Sequence, residues 1–270
     1  MTQRLLSLAQ LVALPVEPPR FLQMAAEVGC QGVGLRLLPS APGGVHHALA
    51  ERPELLRETL AAVRDTGVRV LDLEVVRLGA DFSLEPWRRF LAIGEQIGGR
   101  HVLVAGDDPD EARLTDSFAR LCEAAAAHGL TADLECMPWT AVADVRTAAR
   151  VVAAADQPNG GVLVDALHFA RSASTLQDVA ALPRARLNYV QVCDGRVPGP
   201  DTVEGLIFDA RCERLLPGEG GIDLAGLLGA LPDDLPISIE IPSESRAREL
   251  GHAAWARQVV EATRRLLAAL

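Results

Sequence analysis

Four oxygen-bearing side chains stand at the ends of short apolar runs in the second half of the chain. They are Glu135 in DLECMPW, Asp165 in LVDALHF, Gln191 in YVQVCDG and Glu240 in ISIEIPS. A single carboxylate in such a place is explained by a helix cap or an arginine partner. Four in succession instead predict one divalent metal site, because converging carboxylates repel one another unless a cation neutralises them.

The donor set of this predicted site contains only carboxylate and amide oxygens. Oxygen ligands without a thiolate suit Mn²⁺ or Mg²⁺, although Co²⁺ or Zn²⁺ can also occupy them. Cys136 and Cys193 are neighbours of two of the ligands in sequence, and both are interpreted as packing residues. The sequence therefore predicts one bound Mn²⁺ or Mg²⁺ ion.

The apolar runs that carry these residues belong to an alternation of short apolar and longer amphipathic segments. This alternation is typical of repeated strand–helix units around a parallel sheet. The predicted strands are residues 5–9, 32–36, 69–74, 101–106, 130–135, 161–166, 187–192 and 237–241. Eight even units, with no G-x-G-x-x-G after the first strand, favour a single (β/α)8 TIM barrel over residues 1–270 rather than an open doubly wound sheet.

The barrel prediction also indicates where the functional site should lie. Side chains alternate along a strand, so polar residues at the C-terminal strand ends point into the barrel mouth, where these enzymes work. One connection is much longer than the others: residues 193–223, after the seventh strand. Long loops on this face are usually functional, so we predict a functional loop there.

Composition limits the classes of partner. The net charge of −10 and the pI near 5.1 argue against nucleic acid, since its binders usually carry a basic face. No run reaches 18 apolar residues, so no membrane span is expected, and no secretory cleavage site follows the first apolar run. Five cysteines without a CxxC pair predict free thiols in a cytoplasmic protein. A small-molecule substrate is expected; a homo-oligomer and a monomer both stay open.

Several stretches together carry a family resemblance, namely DLE at 72–74, LECMPW, DALHFARS, YVQVCDG, RLLPGEGGID and IEIPS. Over essentially its full length the chain resembles the sugar phosphate isomerase/epimerase superfamily of xylose isomerase-like TIM barrels. The resemblance implies that Glu135, Asp165, Gln191 and Glu240 hold the metal. Many members have His where Gln191 stands, and some dehydratases have Gln. Glutamine keeps an oxygen donor but removes a basic nitrogen, so the affinity for softer metals should fall.

The resemblance also implies two residues that touch substrate. His168 follows Asp165 by three residues and would contact substrate oxygens; the alternative is a packing role. Arg214 lies three residues before the PG of RLLPGEGG and matches a position that reaches over the substrate in sugar epimerases. Without the resemblance it would be a solvated loop arginine.

Three further residues follow the second and third predicted strands. Arg36 and Arg77 can bind a substrate carboxylate or phosphate through paired hydrogen bonds, or can instead pair with Glu74 or Asp72. Glu74 ends the third predicted strand and should point inward, where it would position substrate or a water.

The leading functional hypothesis is a metal-dependent isomerase or epimerase of a small polyhydroxy ketone or aldehyde, such as a sugar, a sugar phosphate or a cyclitol. The metal would stabilise an enediolate, while Glu135 and Glu240 exchange the proton. The main alternative is a dehydratase of the 3-dehydroshikimate dehydratase type, which Gln191 and the two arginines favour. An abasic-site endonuclease needs more histidine ligands and a less acidic surface. A non-catalytic sugar-binding barrel is the remaining alternative.

Overall fold

Eight parallel strands close into a barrel in the computed structural model, which describes residues 4–41 and 43–270. Each strand pairs with the next one along the chain, and the last pairs with the first. The strands are β1 (Leu6–Ala9), β2 (Gly32–Arg36), β3 (Arg69–Leu78), β4 (His101–Gly106), β5 (Thr131–Glu135), β6 (Gly160–Asp165), β7 (Val190–Val192) and β8 (Ile237–Ile239). The predicted (β/α)8 TIM barrel is confirmed as a single domain.

Helices surround the barrel, and their ends follow ordinary capping rules. The helices are α1 (Pro18–Glu27), α2 (Pro53–Thr66), α3 (Arg88–Gln96), α4 (Glu111–Ala126), α5 (Val145–Ala155), α6 (Ala166–Ala170), α7 (Leu176–Ala180), α8 (Val203–Cys212), α9 (Leu224–Gly229), α10 (Glu244–Leu250) and α11 (His252–Ala268). Asp110 and Asp144 cap α4 and α5 by accepting hydrogen bonds from backbone N–H groups. Gly67 ends α2 at φ 68°, in the left-handed region that glycine adopts without strain.

The predicted and observed elements differ mainly at their ends. The bounds of β2 and β4 match the prediction, whereas β3 continues to Leu78 and β7 is shortened to three residues. β7 pairs with β6 only at Val190 and Gln191. The long connection over 193–223 contains the helix α8, which the sequence pattern did not indicate. Phe208 of α8 is 57% exposed, so its apolar residues do not form the buried stripe that would have indicated a helix.

The inside of the barrel is filled unevenly. Leu71, Leu103, Leu163 and Tyr189 pack together on the side of β3, β4, β6 and β7. The strands β1, β2 and β8 contribute small residues to the barrel interior instead. The outer core between strands and helices is apolar throughout. Within the described ranges, no helix combines the length and hydropathy that a membrane span needs.

Candidate metal centre at the barrel mouth

The four predicted ligands lie at the same end of the barrel. Glu135 and Asp165 are the last residues of β5 and β6, Gln191 lies in β7, and Glu240 follows β8 directly. None is more than 3% exposed. Parallel strands bring their carboxyl ends to one face, so the fold gathers the four side chains as the sequence pattern predicts.

Two sets of contacts connect these residues. Ligand atoms of Glu135, Asp165 and His168 all lie within 4.8 Å of one another. Asp165 and Glu240 share one partner, since Nη1 of Arg214 lies 2.6 Å from Oδ2 of Asp165 and Nη2 lies 2.8 Å from Oε2 of Glu240. The arginine therefore contacts two of the predicted ligands, rather than lying in the loop as a solvated side chain.

Arg214 is itself held firmly. Its Nε donates to the carbonyl oxygen of Ala210 at 2.9 Å, and the side chain is buried. Burial opposes its charge, but the carboxylates of Asp165 and Glu240 raise the pKa of Arg214 well above its usual range. The position between these two carboxylates is thus one that stabilises a cation.

The remaining polar atoms fit a divalent ion. Oε1 of Glu135 and both amide atoms of Gln191 are buried and have no hydrogen-bond partner among the described residues. Buried polar atoms without a partner are uncommon and call for one. Carboxylate and amide oxygens are the donors that hard divalent cations prefer. The donor set and its unpartnered oxygens are therefore compatible with such an ion.

The acid groups of the centre differ in their proton affinity. Burial, followed by the charges of Asp165 and Glu240, raises the pKa of Glu135 well above its ordinary value. Burial raises the pKa of Glu240 to about 7, although Arg214 opposes this. Burial would also raise the pKa of Asp165, but the charge of Arg214 lowers it. Asp165 is thus the firmly ionised member, and Glu240 can take or release a proton near neutral pH.

His168 lies beside the acids as the D-x-x-H spacing predicts. Its backbone N–H donates to Oδ1 of Asp165 at 2.9 Å, and its Nε2 lies 3.7 Å from Oε1 of Glu135. The ring of Trp139 meets its imidazole edge to face, with centroids 5.1 Å apart. Burial lowers the pKa of His168 to about 4. The imidazole is therefore neutral at physiological pH and can donate or accept one hydrogen bond at each nitrogen.

Arg36 and Arg77 each have an acidic partner. Arg36 binds Oε2 of Glu74 through Nε at 2.9 Å and through Nη2, so the pairing alternative is the one observed for this residue. Arg77 binds both oxygens of Asp107 at 2.7 Å, which is neither of the partners proposed from the sequence. Glu74 is fully buried and pairs with Arg36. It lies within β3 and not at its end, because the strand continues to Leu78.

Arg211 is a mouth residue that sequence reasoning missed. Its side chain lines the same cavity as Glu135, Glu240 and Arg77, and it forms no ion pair with the described residues. Burial, followed by the positive charges of Arg77 and Arg36, lowers the pKa of Arg211. The sequence feature that could have identified Arg211 is its position three residues before Arg214 in the long connection.

Asp194 organises the connection that carries both arginines. Its carboxylate accepts hydrogen bonds from the backbone N–H groups of Gly195, Gly218, Gly220 and Ile222, at 2.8 to 3.1 Å. It therefore ties the segment after Arg214 back to the end of β7. Sequence reasoning missed this residue as well.

The cavity at the mouth has a volume of about 40 Å³. Its lining includes the long side chains of Arg36, Arg77, Arg211, Arg214 and Trp139.

A closed (β/α)8 barrel with buried acids and an amide at its C-terminal mouth defines the class: a TIM barrel with a candidate cation site at that face. The chain belongs to the family described as xylose isomerase-like TIM barrel, whose model matches residues 22–266. The resemblance seen in the sequence is thereby confirmed.

Three individual proteins illustrate what this chain is similar to. A 3-dehydroshikimate dehydratase of Pseudomonas aeruginosa is 32% identical over 174 residues, covering 61% of this chain and 26% of that protein. A fusion of a xylose isomerase-like TIM barrel with 4-hydroxyphenylpyruvate dioxygenase superposes with a TM-score of 0.80 at 22% identity, covering 97% of this chain and 42% of the other. The IOLI protein with a bound zinc atom has a TM-score of 0.78 at 17% identity, covering 96% of each chain. The chain thus spans about a quarter of the length of the dehydratase.

Proposed function

We propose that this chain is a metal-dependent lyase that removes water from a small hydroxy ketone carrying a carboxylate, of the 3-dehydroshikimate class. The observation that carries the proposal is Arg211, a guanidinium at the barrel mouth without an acidic partner among the described residues. The 32% identity to a 3-dehydroshikimate dehydratase supports it, and so does Gln191 at the ligand position.

Four arginines line the mouth cavity, and one of them explains why the substrate should be an anion. Arg36 and Arg77 are paired with Glu74 and Asp107, and Arg214 is paired with Asp165 and Glu240. Arg211 has no ion-pair partner among the described residues. A carboxylate beside Arg211 would form a charge-assisted hydrogen bond, which is shorter and stronger than a neutral one. A neutral sugar offers no group that needs this arginine.

Glu135, Asp165, Gln191 and Glu240 would hold a divalent ion, with Mn²⁺ or Mg²⁺ favoured by their oxygen donors, and such an ion supplies Lewis acidity toward a carbonyl oxygen. Glu240, with its pKa near neutrality, is suited to take the proton from the carbon beside the carbonyl. Glu240 can then return this proton to the departing hydroxyl, which leaves as water, while Glu135 stays ionised as a ligand of the ion.

The other mouth residues bind and orient the substrate. The neutral imidazole of His168 can donate a hydrogen bond to a substrate oxygen without adding charge. Trp139 and Met137 line the cavity with apolar surface and would exclude water from the reacting carbon. The five free cysteines suit a reducing compartment, so we place the enzyme in the cytoplasm.

An isomerase or epimerase of a polyhydroxy ketone is the second candidate. Glu135 and Glu240 approach the mouth from β5 and from the end of β8, and both can carry a proton. Two such groups could exchange a proton at a carbon from different directions. Arg211 argues against a neutral sugar or cyclitol as the substrate of such an isomerase, because only an anionic substrate, such as a sugar phosphate, uses its charge.

Substitution of Arg211 tests the proposal. With 3-dehydroshikimate as substrate, Arg211→Gln should raise KM about 10- to 100-fold, as expected for the loss of a hydrogen bond to a charged group. The methyl ester of the same substrate should be nearly insensitive to the change. Arg196→Gln, at an exposed arginine of the same connection, is the matched control. An equal effect of Arg211→Gln on the acid and its ester would refute an anion site at this position.

A further inference from the structure

A row of polar side chains lines the inside of the barrel on the N-terminal side of the candidate metal centre. Ser7 of β1 pairs in register with Gly32 of β2 and with Ser238 of β8, and Ser238 pairs in turn with Gln191. Register neighbours on adjacent strands point to the same face of a sheet. The hydroxyls of Ser7 and Ser238 therefore share the interior of the barrel with Gln191.

Asp72 and Ser7 each lie over a glycine of β2. A methyl group on Gly34 would lie 2.5 Å from Oδ2 of Asp72, and one on Gly32 would lie 3.2 Å from Oγ of Ser7. Residues two apart in a strand point to the same face and are separated by about 6.6 Å. Ser7 and Asp72 therefore lie over neighbouring positions on one face of β2, a spacing comparable with the ~5 Å that two cation–oxygen bonds span.

None of these oxygens has a hydrogen-bond partner within the part of the chain that the structure describes. Oγ of Ser7, Oγ of Ser238, the hydroxyl of Tyr189 and both carboxylate oxygens of Asp72 are all buried and unpaired. Burial, and then the charge of Asp72, raises the pKa of Tyr189 well above its ordinary value. Unpaired buried polar atoms are costly, and a carboxylate is the costliest of them.

The charges inside the barrel do not balance. Six acidic side chains are buried there, and two arginines oppose them: Asp72, Glu74, Asp133, Glu135, Asp165 and Glu240 against Arg36 and Arg214. A divalent ion at the mouth removes two more negative charges, so two of the six remain. Asp133 accepts hydrogen bonds from Thr131 and Asn188, whereas Asp72 accepts none from the described residues. Of these two, Asp72 is therefore the one without a partner, and burial, followed by the charge of Glu74, raises its pKa well above the ordinary value.

We propose that the barrel binds an alkali-metal cation, Na⁺ or K⁺, between Asp72, Ser7 and Ser238, with the Tyr189 hydroxyl as a further ligand. Oxygen donors suit a hard cation, and a single carboxylate with neutral hydroxyls supplies the charge for a monovalent ion. The ion neutralises Asp72 and gives the orphaned oxygens a common partner. This site is separate from the candidate metal centre and does not depend on the reaction proposed above.

Thermal unfolding of the protein as purified tests the site. We expect Tm to rise saturably with NaCl or KCl but not with choline chloride at the same ionic strength. Asp72→Asn should abolish the difference between the salts, and Ser7→Ala should raise the half-saturating concentration at least about tenfold. Asp116→Asn, at an exposed carboxylate of α4, should leave the salt response unchanged.

Crystals of the wild-type protein grown with Rb⁺ give a second readout that requires no variant. An anomalous peak between Asp72 and Ser7 would support the site even if Asp72→Asn fails to fold. Equal Tm values in the three salts together with only water at this position would overturn the proposal. A Tm that Asp72→Asn raises equally in all three salts would also overturn it, because Asp72 would then be a protonated acid.

Discussion

Nη1 of Arg214 lies 2.6 Å from Oδ2 of Asp165, and both side chains are buried in the barrel mouth. The same guanidinium reaches Glu240 at 2.8 Å, so one protein cation contacts two of the four candidate metal ligands. Any divalent ion at this site must therefore share its carboxylates with an arginine. The electrostatics of the centre depend on Arg214 as much as on the ion.

Arg214→Gln should destabilise the metal-free protein by about 3–5 kcal/mol, because it leaves two buried carboxylates without a cation. Mn²⁺ should then raise the Tm of the variant more than that of the wild type, since the ion replaces the missing charge. Thermal unfolding with and without Mn²⁺ measures both effects. Arg113→Gln is the control, because it also removes an arginine from a buried carboxylate, Asp108, but that carboxylate is not a candidate metal ligand. A metal-induced shift no larger than that of wild type would contradict the shared site.

Gln191→His should increase the affinity for Zn²⁺ and Co²⁺ relative to Mn²⁺, because imidazole nitrogen is a softer donor than amide oxygen. Competition with a chromophoric chelator measures the affinity for each ion. The Mn²⁺ affinity of the same variant serves as the internal control. If the ratio of Zn²⁺ to Mn²⁺ affinity does not change, residue 191 is not a ligand.

Metal binding should release protons at neutral pH. Burial raises the pKa of Glu240 to about 7 in the metal-free protein and raises that of Glu135 well above its ordinary value, whereas a cation binds their ionised forms. Affinity should therefore increase as pH rises through about 7, and fall as pH drops below it. Calorimetric titration with Mn²⁺ in buffers of different ionisation enthalpy counts the protons. A count of zero at pH 6.5 would show that both glutamates are already ionised.

Glu240→Gln keeps an oxygen ligand of nearly the same shape but cannot take a proton. We expect metal binding to survive and kcat to fall about 10²- to 10⁴-fold, with a smaller change in KM. In a dehydratase with one base, Glu135→Gln should retain more activity than Glu240→Gln. Similar losses in both variants would favour two bases, as an epimerase uses. If both keep more than about a tenth of the wild-type rate, the proton carrier is another group, and His168 becomes the next to test.

The positions of the four candidate ligands were predictable because two regular patterns decide them. Strand alternation and the common direction of parallel strands place Glu135, Asp165, Gln191 and Glu240 at one face, whatever the loops do. The same logic predicted the barrel and the bounds of β2 and β4. Strand ends were less certain, because β7 is limited by its pairing with β6, which the apolar pattern does not show.

The partners of the arginines were not predictable in the same way. Arg77 pairs with Asp107, which lies in the connection after β4, and the conformation of that connection is not encoded in a repeating pattern. Arg211 was missed because α8 has an exposed apolar face and so did not register as a helix. Ser7 and Asp72 were overlooked as a pair, since only the barrel register brings them to one interior.

The most direct test of the account is incubation of purified, Mn²⁺-loaded protein with 3-dehydroshikimate while ultraviolet absorbance is followed. Loss of water creates a conjugated product, so absorbance should rise, and both chelation and Glu240→Gln should abolish the rise. A panel of ketoses and cyclitols should be neither epimerised nor isomerised under the same conditions. If absorbance stays constant with 3-dehydroshikimate while one of those neutral substrates is epimerised, the dehydratase account is contradicted.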